Sequence, residues 1–138
     1  MCPNCQGNTP ASTAVQNMVH WIRQQGVRFG MLWFDVEQCN SCWHSDLADN
    51  MSYLTEAVQA AVAEGVSVGI YSSNYEWCQT VGCDATGLQQ YPLWYANWDG
   101  AKSFSDFEPF GGWEKPAIKQ YADKGDSDCD VPVDLDWY

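Results

Sequence analysis

The sequence predicts an α/β fold, a partial or irregular β/α (TIM-like) barrel with about five mainly parallel strands. Segments with apolar residues at helical spacing alternate along the chain with short apolar segments of strand length. The strand segments are apolar on both faces, as strands buried in a parallel sheet are. No repeat or linker divides the 138 residues, so residues 1–138 are expected to form a single domain.

Three helices are predicted. The first covers residues 13–25, where Thr13 and Gln16 have the spacing of a capping box, and a glycine follows it. The second covers residues 49–64, has one apolar face and also stops at a glycine. A short third helix is expected within residues 72–81. Helices in these places would connect parallel strands as right-handed crossovers.

Apolar runs predict five strands, and the first of them turns acidic at its end. The aromatic-rich stretch 99–115 lacks periodicity and is expected to be irregular. Five strands are too few to close an eight-stranded barrel, which fits a domain that is expected to be incomplete at its N-terminus. The predicted strands are residues 27–37, 66–71, 93–98, 117–121 and 131–135.

The charge of the chain excludes several classes of partner. The formal net charge is −12, which repels phosphate backbones and anionic lipid, so no nucleic acid and no membrane is expected as a partner. No apolar run approaches the ~20 residues that a membrane helix needs. The aromatic content of 14% excludes intrinsic disorder. A neutral or sugar-like ligand fits this acidic surface better.

Seven cysteines are more than a cytosolic domain usually carries, and they predict a disulfide framework. The odd number leaves one thiol free, paired between chains or paired outside this sequence. Two Cys-x-x-Cys pairs, Cys2 with Cys5 and Cys39 with Cys42, keep a zinc site open as an alternative. However, 33 residues separate the pairs, against ~12–20 in compact zinc modules, so no metal ligand is predicted. The N-terminus has neither the basic nor the apolar region of a signal peptide.

The acidic end of the first predicted strand is the main candidate for chemistry. Side chains alternate along a strand, so Asp35 and Glu37 emerge on one face, about 6.7 Å apart at the backbone, with Trp33 on the same face. Carboxylates about 5 to 9.5 Å apart are what glycoside hydrolysis requires. Ligand sites of parallel α/β sheets lie at the C-terminal ends of strands. The alternative is that both acids simply begin a solvated loop.

A second acidic segment closes the chain. Asp134 follows an apolar start in the last predicted strand and is a candidate third acid, unless it belongs to a fraying C-terminus. Four aromatic residues near strand ends are candidate stacking platforms for sugar rings, although packing in the core is their commoner role. Gln120 is a candidate hydrogen-bonding partner of the same ligand. The aromatic candidates are Trp33, Tyr71, Trp94 and Tyr95, whereas Trp98, Trp113 and Trp137 are assigned to packing.

Five segments in order give the chain a resemblance to a known family. They read MLWFDVE, VGIYSS, LWYA, IKQY and VDL, at residues 31–37, 68–73, 93–96, 118–121 and 133–135. In this order they resemble glycoside hydrolase family 25 lysozymes of the protozoan and nematode type. The resemblance covers the whole chain and matches the later part of that domain. The family's barrel begins with a strand that carries another active-site Asp, and no such strand precedes Cys2.

The resemblance implies an N-acetylmuramidase that cleaves the β-1,4 bond between N-acetylmuramic acid and N-acetylglucosamine in peptidoglycan glycan strands. It implies that Glu37 is the general acid and that Asp35 orients the substrate or stabilises charge at the anomeric carbon. Asp134 would line the same pocket. No metal and no cofactor is implied. It also implies a secreted or lysosomal/phagosomal protein that degrades bacterial cell walls.

Two further hypotheses stay open at this point. One is a non-catalytic, vestigial carbohydrate-binding relative that lost activity with its missing strands. The other is a zinc-stabilised interaction module. The charge of −12 argues against a cationic antimicrobial protein and favours digestion in an acidic lumen. The sequence does not specify an oligomeric state.

Overall fold

The alternation of helical and strand-like segments folds into one curled, five-stranded sheet, a half-barrel with helices on one face. The computed structural model describes residues 1–7, 9–126 and 131–138. After a 3₁₀ turn at Pro3–Gln6, the elements in chain order are α1 (Ala11–Gln24), β1 (Leu32–Asp35), α2 (Leu47–Ala63), β2 (Val68–Ser72), α3 (Asn74–Thr80), β3 (Leu93–Ala96), β4 (Ile118–Asp126) and β5 (Pro132–Trp137).

The sheet keeps the sequence order β1-β2-β3-β4-β5. Strands β1 to β4 are parallel, because a helix or a long connection returns the chain to the same edge each time. Strand β5 pairs with β4 in the antiparallel direction. The prediction of an α/β half-barrel with mainly parallel strands is confirmed.

Several predicted boundaries are wrong. Helix α1 begins at Ala11, directly after Pro10, and no side chain caps it, so the predicted capping box of Thr13 does not form. The start of α1 is instead tied to α2, because the backbone N–H and hydroxyl of Ser12 both donate to the Glu56 carboxylate at 3.0 and 2.6 Å.

The strands also differ in length from the predicted ones. Strand β1 starts only at Leu32, because its partner β2 begins at the registered Val68 and offers nothing for residues 27–31 to pair with. Strand β3 ends at Ala96, two residues earlier than predicted. Strand β4 runs on to Asp126, because the antiparallel β5 pairs with it from Lys119 to Asp126.

The hydrophobic core lies between the sheet and the helices. Alternate strand residues such as Phe34, Ile70 and Leu93 are almost completely buried against apolar side chains of α2 such as Leu54 and Val58. We call this side of the sheet the helix face. The other side, the open face, carries the intervening residues and has no helix packed on it within the described part of the chain.

One buried ionic cluster lies on the helix face. Lys119 of β4 is completely buried, and its ammonium group donates to Asp99 at 2.8 Å and to Asp106 at 2.7 Å. The Tyr95 hydroxyl and the Asn97 amide also donate to Asp106, at 3.0 and 2.8 Å. Burial opposes ionisation of Asp106, but the hydrogen bonds from Lys119, Asn97 and Tyr95 outweigh it and lower its pKa to about 2. The cluster therefore pins the loop after β3 to the sheet.

Three disulfides join cysteines that are close in sequence. They are Cys2–Cys5, Cys39–Cys42 and Cys78–Cys83, and Cys129 lies outside the described residues. Disulfides are typical of proteins in oxidising compartments. Within the described part of the chain, none of the helices combines the length and the apolar character that crossing a membrane requires.

Candidate functional site

The strand register shows which candidate residues lie side by side on neighbouring strands of the open face. Asp35 of β1 is level with Tyr71 of β2, which is level with Trp94 of β3. Glu37 follows two residues after Asp35, at the C-terminal edge of the parallel strands, where Gln120 of β4 lies beside the end of β3. The period of two along a strand puts all five side chains on the same side of the sheet.

Three aromatic rings form a row on the open face. Trp33 and Tyr71 both meet the ring of Trp94 edge to face, with centroids 5.6 and 4.9 Å away. The row requires a glycine beside it, because a Cβ on Gly69 would overlap the six-membered ring of Trp33. All three rings are partly exposed. They form a half-buried apolar surface of the kind on which sugar rings stack.

Glu37 is the partly buried acid of the pair. Burial raises the pKa of Glu37, the negative charges of Asp35 and Glu76 raise it further, and a hydrogen bond with Tyr71 opposes the rise. The side chain of Asp35, in contrast, is 57% exposed. The two carboxyls therefore occupy different environments, which is how one site holds a protonated and an ionised carboxyl together.

Glu37 lines a small cavity at the strand ends. The cavity measures about 290 Å³ and is bounded by the end of β2, the start of α3 and the loop after β3. Two acids line this cavity, Glu37 and Glu76 at the start of α3, and the charge of Glu76 raises the pKa of Glu37. The lining residues are Glu37, Tyr71, Ser73, Glu76, Ala96, Asn97, Trp98 and Gln120.

The cysteine-rich loop supports the backbone of Glu37. The Trp43 indole N–H donates to the Glu37 carbonyl at 2.7 Å. The loop is in turn docked on the N-terminal turn, because the Asn4 side-chain amide donates to the carbonyls of Ser41 and Trp43, both at 2.9 Å. Sequence reasoning assigned no role to Asn4 or Trp43, since their effect depends on contacts between distant loops.

The two Cys-x-x-Cys turns lie together in space. The Sγ atoms of Cys2, Cys5 and Cys42 are all within 4.8 Å of one another. The 33-residue separation used to argue against a shared site is therefore no barrier, because the fold brings both turns to the same place. All four cysteines of these turns are paired in disulfides within their own turn.

Gln120 links the two acidic regions of the open face. Its Oε1 accepts hydrogen bonds from the Tyr71 hydroxyl at 2.9 Å and the Trp98 indole at 2.8 Å. Its Nε2 donates to Asp134 at 3.2 Å. Asp134 reaches this edge because the antiparallel β5 begins there, and not, as predicted, because a strand ends there. The side chain of Gln120 is therefore committed to protein partners.

A fourth carboxylate on this face was not singled out from the sequence. Asp136 of β5 accepts a hydrogen bond from the Trp94 indole at 2.7 Å, so it fixes the orientation of the central ring in the aromatic row. Burial raises the pKa of Asp136, the bond from Trp94 opposes the rise, and the charge of Asp134 adds to it. The alternation of Asp134 and Asp136 in the sequence was the signal that would have revealed it.

The structure corrects the prediction for Tyr95. Its ring is 4% exposed and packs on the helix face against Phe107, and its hydroxyl belongs to the Asp106 cluster. Because neighbouring strand residues point to opposite faces, Tyr95 and Trp94 are on opposite sides of the sheet. Tyr95 therefore does not join the aromatic row.

The remaining tryptophans divide between packing and exposure. Trp113 is 3% exposed and packs as predicted. Trp98 is 58% exposed and lines the Glu37 cavity, so its assignment to packing is wrong. Trp137 is 40% exposed and is only partly packed. Trp98 lies in a loop, and sequence periodicity does not predict whether a loop side chain is buried or exposed.

The half-barrel is shared with solved structures of muramidases. The glycoside hydrolase family 25 lysozyme of Aspergillus fumigatus matches this chain with a TM-score of 0.64 at 19% sequence identity, over 84% of this chain and 57% of the other. A likeness at that level of identity defines the fold. The chain therefore has the fold of family 25 lysozymes.

Sequence comparison then defines the family. The model of the family described as lysozyme-like protein 1 matches residues 1–121, and the chain belongs to this lysozyme-like family. Counting factor 50 of Dictyostelium discoideum is 52% identical over all of this chain and 45% of its own length. Probable GH family 25 lysozyme 3 of the same organism is 48% identical over all of this chain and 28% of its own length. The chain thus spans less than half the length of either relative, and the resemblance inferred from the five motifs is confirmed.

Proposed function

We propose that this domain hydrolyses the β-1,4 bond between N-acetylmuramic acid and N-acetylglucosamine in peptidoglycan. The observation that carries the proposal is the unequal pair at the end of β1. Glu37 is partly buried with a raised pKa, and Asp35 beside it is exposed. Hydrolysis of a glycosidic bond needs a protonated carboxyl and an ionised one flanking the reacting atoms.

In the proposed reaction Glu37 donates its proton to the glycosidic oxygen as the bond to the anomeric carbon breaks. Positive charge then develops on the sugar ring, and the negative charge of Asp35 stabilises it or orients the acetamide group of the substrate. A water molecule adds to the anomeric carbon and returns a proton to Glu37. Asp134, held by Gln120 at 3.2 Å, lines the same face and adds negative potential near the developing cation.

The aromatic row supplies the binding surface for the glycan. The rings of Trp33, Tyr71 and Trp94 lie on the open face together with the carboxylates. Tyr71 and Trp94 are level with Asp35, so a sugar stacked there has its linkage near Glu37. Stacking of this kind suits an uncharged saccharide on a domain with a net charge of −12. The proposed partner is therefore a peptidoglycan glycan strand.

The proposal fixes the direction of the pH dependence. Glu37 acts only while protonated, and its raised pKa keeps it protonated to higher pH than an ordinary glutamate. Activity should therefore fall as the pH rises through the pKa of Glu37, which favours an acidic lumen such as a phagosome or an acidified secretion. An optimum above pH 7 would contradict this assignment.

The direct test compares Glu37→Gln with the matched control Glu114→Gln. Glu114 is exposed and directly follows the buried Trp113, and it does not line the Glu37 cavity. Release of soluble fragments from purified peptidoglycan is measured between pH 4 and 7. We expect the parent and Glu114→Gln to release fragments at equal rates, and Glu37→Gln to lose at least ~100-fold. Equal rates in all three proteins would remove Glu37 from the mechanism.

A second candidate function is saccharide binding without turnover. It is favoured by one observation: the chain spans 45% of Counting factor 50, a relative whose name does not describe an enzyme. In this case a soluble muropeptide quenches or shifts tryptophan fluorescence in the parent and in Glu37→Gln alike, while neither protein releases fragments. Binding without release in the parent would favour this candidate over hydrolysis.

A further inference from the structure

The four cysteines of the two Cys-x-x-Cys turns form one cluster of sulfur atoms, although 33 residues separate the turns in sequence. The Sγ atoms of Cys2, Cys5 and Cys42 lie within 4.8 Å of one another, and Cys39 Sγ is bonded to Cys42 Sγ. Four sulfurs that bind one Zn²⁺ tetrahedrally at about 2.3 Å lie about 3.8 Å apart. The distances from Cys42 Sγ to the sulfurs of the other turn therefore exceed zinc-site spacing by no more than about 1 Å.

The first of these turns has a local geometry that stabilises a thiolate. The Cys5 backbone N–H donates to Cys2 Sγ at 3.1 Å, across the 3₁₀ turn that begins at Pro3. A hydrogen bond to the charged form of a group favours that form, and the thiolate is the form of cysteine that binds a metal ion. The chain leaves the turn through Gly7 at a φ of 60°, a conformation that glycine adopts without strain. Cys2 therefore keeps a partner for its negative charge once the disulfide is reduced.

Hydrogen bonds from Asn4 hold the two turns together independently of the disulfides. Its backbone N–H donates to the Cys42 carbonyl at 2.9 Å, and its side-chain amide donates to the carbonyls of Ser41 and Trp43, also at 2.9 Å. Each of the two disulfides joins cysteines only three positions apart, so neither one links the two turns. Reduction therefore leaves the contacts that bring the four sulfurs to one place.

We propose that these four cysteines form a Zn²⁺ site in the reduced protein. Each disulfide takes two electrons and two protons from two small-molecule thiols, which leave as one disulfide, and two cysteine thiols are formed. The four cysteine thiols then bind one Zn²⁺ as thiolates and release four protons. Cys5 and Cys39 are exposed, so the reductant and the metal reach the cluster from solvent. The inference is independent of the proposed hydrolysis.

A bound Zn²⁺ links parts of the chain that the disulfides leave unlinked. A shared ion closes the loop between Cys5 and Cys39, which contains α1 and β1, whereas each disulfide closes a turn of its own. Closing the longer loop removes more conformational entropy from the unfolded chain. The ion also fixes the loop from which the Trp43 indole donates to the Glu37 carbonyl at 2.7 Å. The metal site therefore stabilises the N-terminal turn and the backbone of Glu37 together.

The test measures Zn²⁺ binding to the full chain after reduction with dithiothreitol, which is then removed under argon. Cys5→Ser/Cys42→Ser removes one sulfur from each turn. The matched control, Cys78→Ser/Cys83→Ser, removes as many sulfurs from the third disulfide, which does not belong to the cluster. Elemental analysis gives the stoichiometry, and competition with a zinc-binding dye gives the affinity.

We expect one Zn²⁺ per chain in the reduced parent and in the reduced control, with equal affinity. Binding to Cys5→Ser/Cys42→Ser should be at least ~100-fold weaker, because two of the four ligands are lost. The oxidised parent should not bind Zn²⁺ at this affinity, since its sulfurs are held in disulfides. Zn²⁺ should accordingly raise the Tm of the reduced parent and leave the Tm of the oxidised parent unchanged.

The geometry of the site is tested with Co²⁺ in place of Zn²⁺. The reduced parent and the control should both show the visible absorption of tetrahedral, thiolate-bound Co²⁺. An octahedral Co²⁺ spectrum would overturn the inference, because it excludes four sulfurs around one ion.

Three results of the Zn²⁺ measurement would also overturn the inference. They are fewer than about 0.5 ions per chain in the reduced parent, equal affinities in the two double variants, and a reduced parent that stays unfolded when Zn²⁺ is added. If Cys5→Ser/Cys42→Ser does not fold, Cys5→Ser decides alone, because Cys5 is exposed, and an unchanged affinity counts against the site. None of these measurements requires turnover, so failure of the proposed hydrolysis leaves the test intact.

Discussion

Replacing Asp106 by Asn tests whether charge holds the loop after β3 to the sheet. Asp106 binds the buried ammonium of Lys119 at 2.7 Å, and its side chain is only 20% exposed, so solvent screens the pair weakly. Its pKa falls from the ordinary 3.8 to about 2 in the folded state. A fall of this size corresponds to about 2 kcal/mol of folding free energy at neutral pH. Lys119 keeps Asp99 as a partner at 2.8 Å, so the loss should stay near that figure and below the cost of an unpaired buried charge.

The difference in unfolding free energy between Asp106→Asn and the parent should depend on pH. A depressed carboxyl pKa contributes stability above the unfolded pKa, near 4, and that stability disappears as the pH falls through about 2. Urea unfolding of the oxidised protein should therefore show Asp106→Asn about 2 kcal/mol less stable than the parent at pH 7. The two proteins should converge between pH 4 and pH 2. The control is Asp84→Asn, at an exposed position between α3 and β3.

Two outcomes would refute this reasoning about the cluster. The first is a difference in unfolding free energy between Asp106→Asn and the parent below about 0.5 kcal/mol at pH 7, which is the size expected for an ordinary surface charge. The second is a difference that persists unchanged at pH 2, which would mean that geometry and not charge accounts for the loss. A loss of the same size in Asp84→Asn would show that the effect is general to the net charge.

Two further substitutions test packing around the site. Gly69→Ala places a methyl group where the ring of Trp33 lies, so we expect a loss of about 1–3 kcal/mol and a changed near-UV circular dichroism signal; an unchanged signal would contradict the packing of this row. Asn50→Ala removes the donors to the carbonyls of His44 and Thr80, at 3.0 and 2.8 Å in a fully buried site, so thermal unfolding should show a loss of about 2–3 kcal/mol, and a loss under 0.5 would not fit.

The order of helices and strands was predictable because each element carries its own periodicity. The direction of β5 was not predictable. It depends on the connection that follows β4, and an apolar alternation such as Val133 with Leu135 is the same in either direction. The start of α1 was missed for a related reason, since Ser12 is satisfied by Glu56 from another helix and not by a local cap.

The candidate site was predictable where a single strand determines it. The period of two placed Trp33, Asp35 and Glu37 on one side, and the same rule would have separated Tyr95 from Trp94 had it been applied to β3. Contacts that join distant segments were not predictable. The Trp98 indole reaches Gln120 only because the loop after β3 returns over the sheet, and sequence spacing does not record that return.

Glu37 is proposed to give the proton that cleaves the glycan. The most direct measurement is mass spectrometry of peptidoglycan fragments reduced with borohydride after incubation with the parent chain and with Glu37→Gln at acidic pH. We expect new reduced ends of N-acetylmuramic acid with the parent and none with Glu37→Gln. New ends of N-acetylglucosamine, or equal amounts of muramic ends from both proteins, would contradict it.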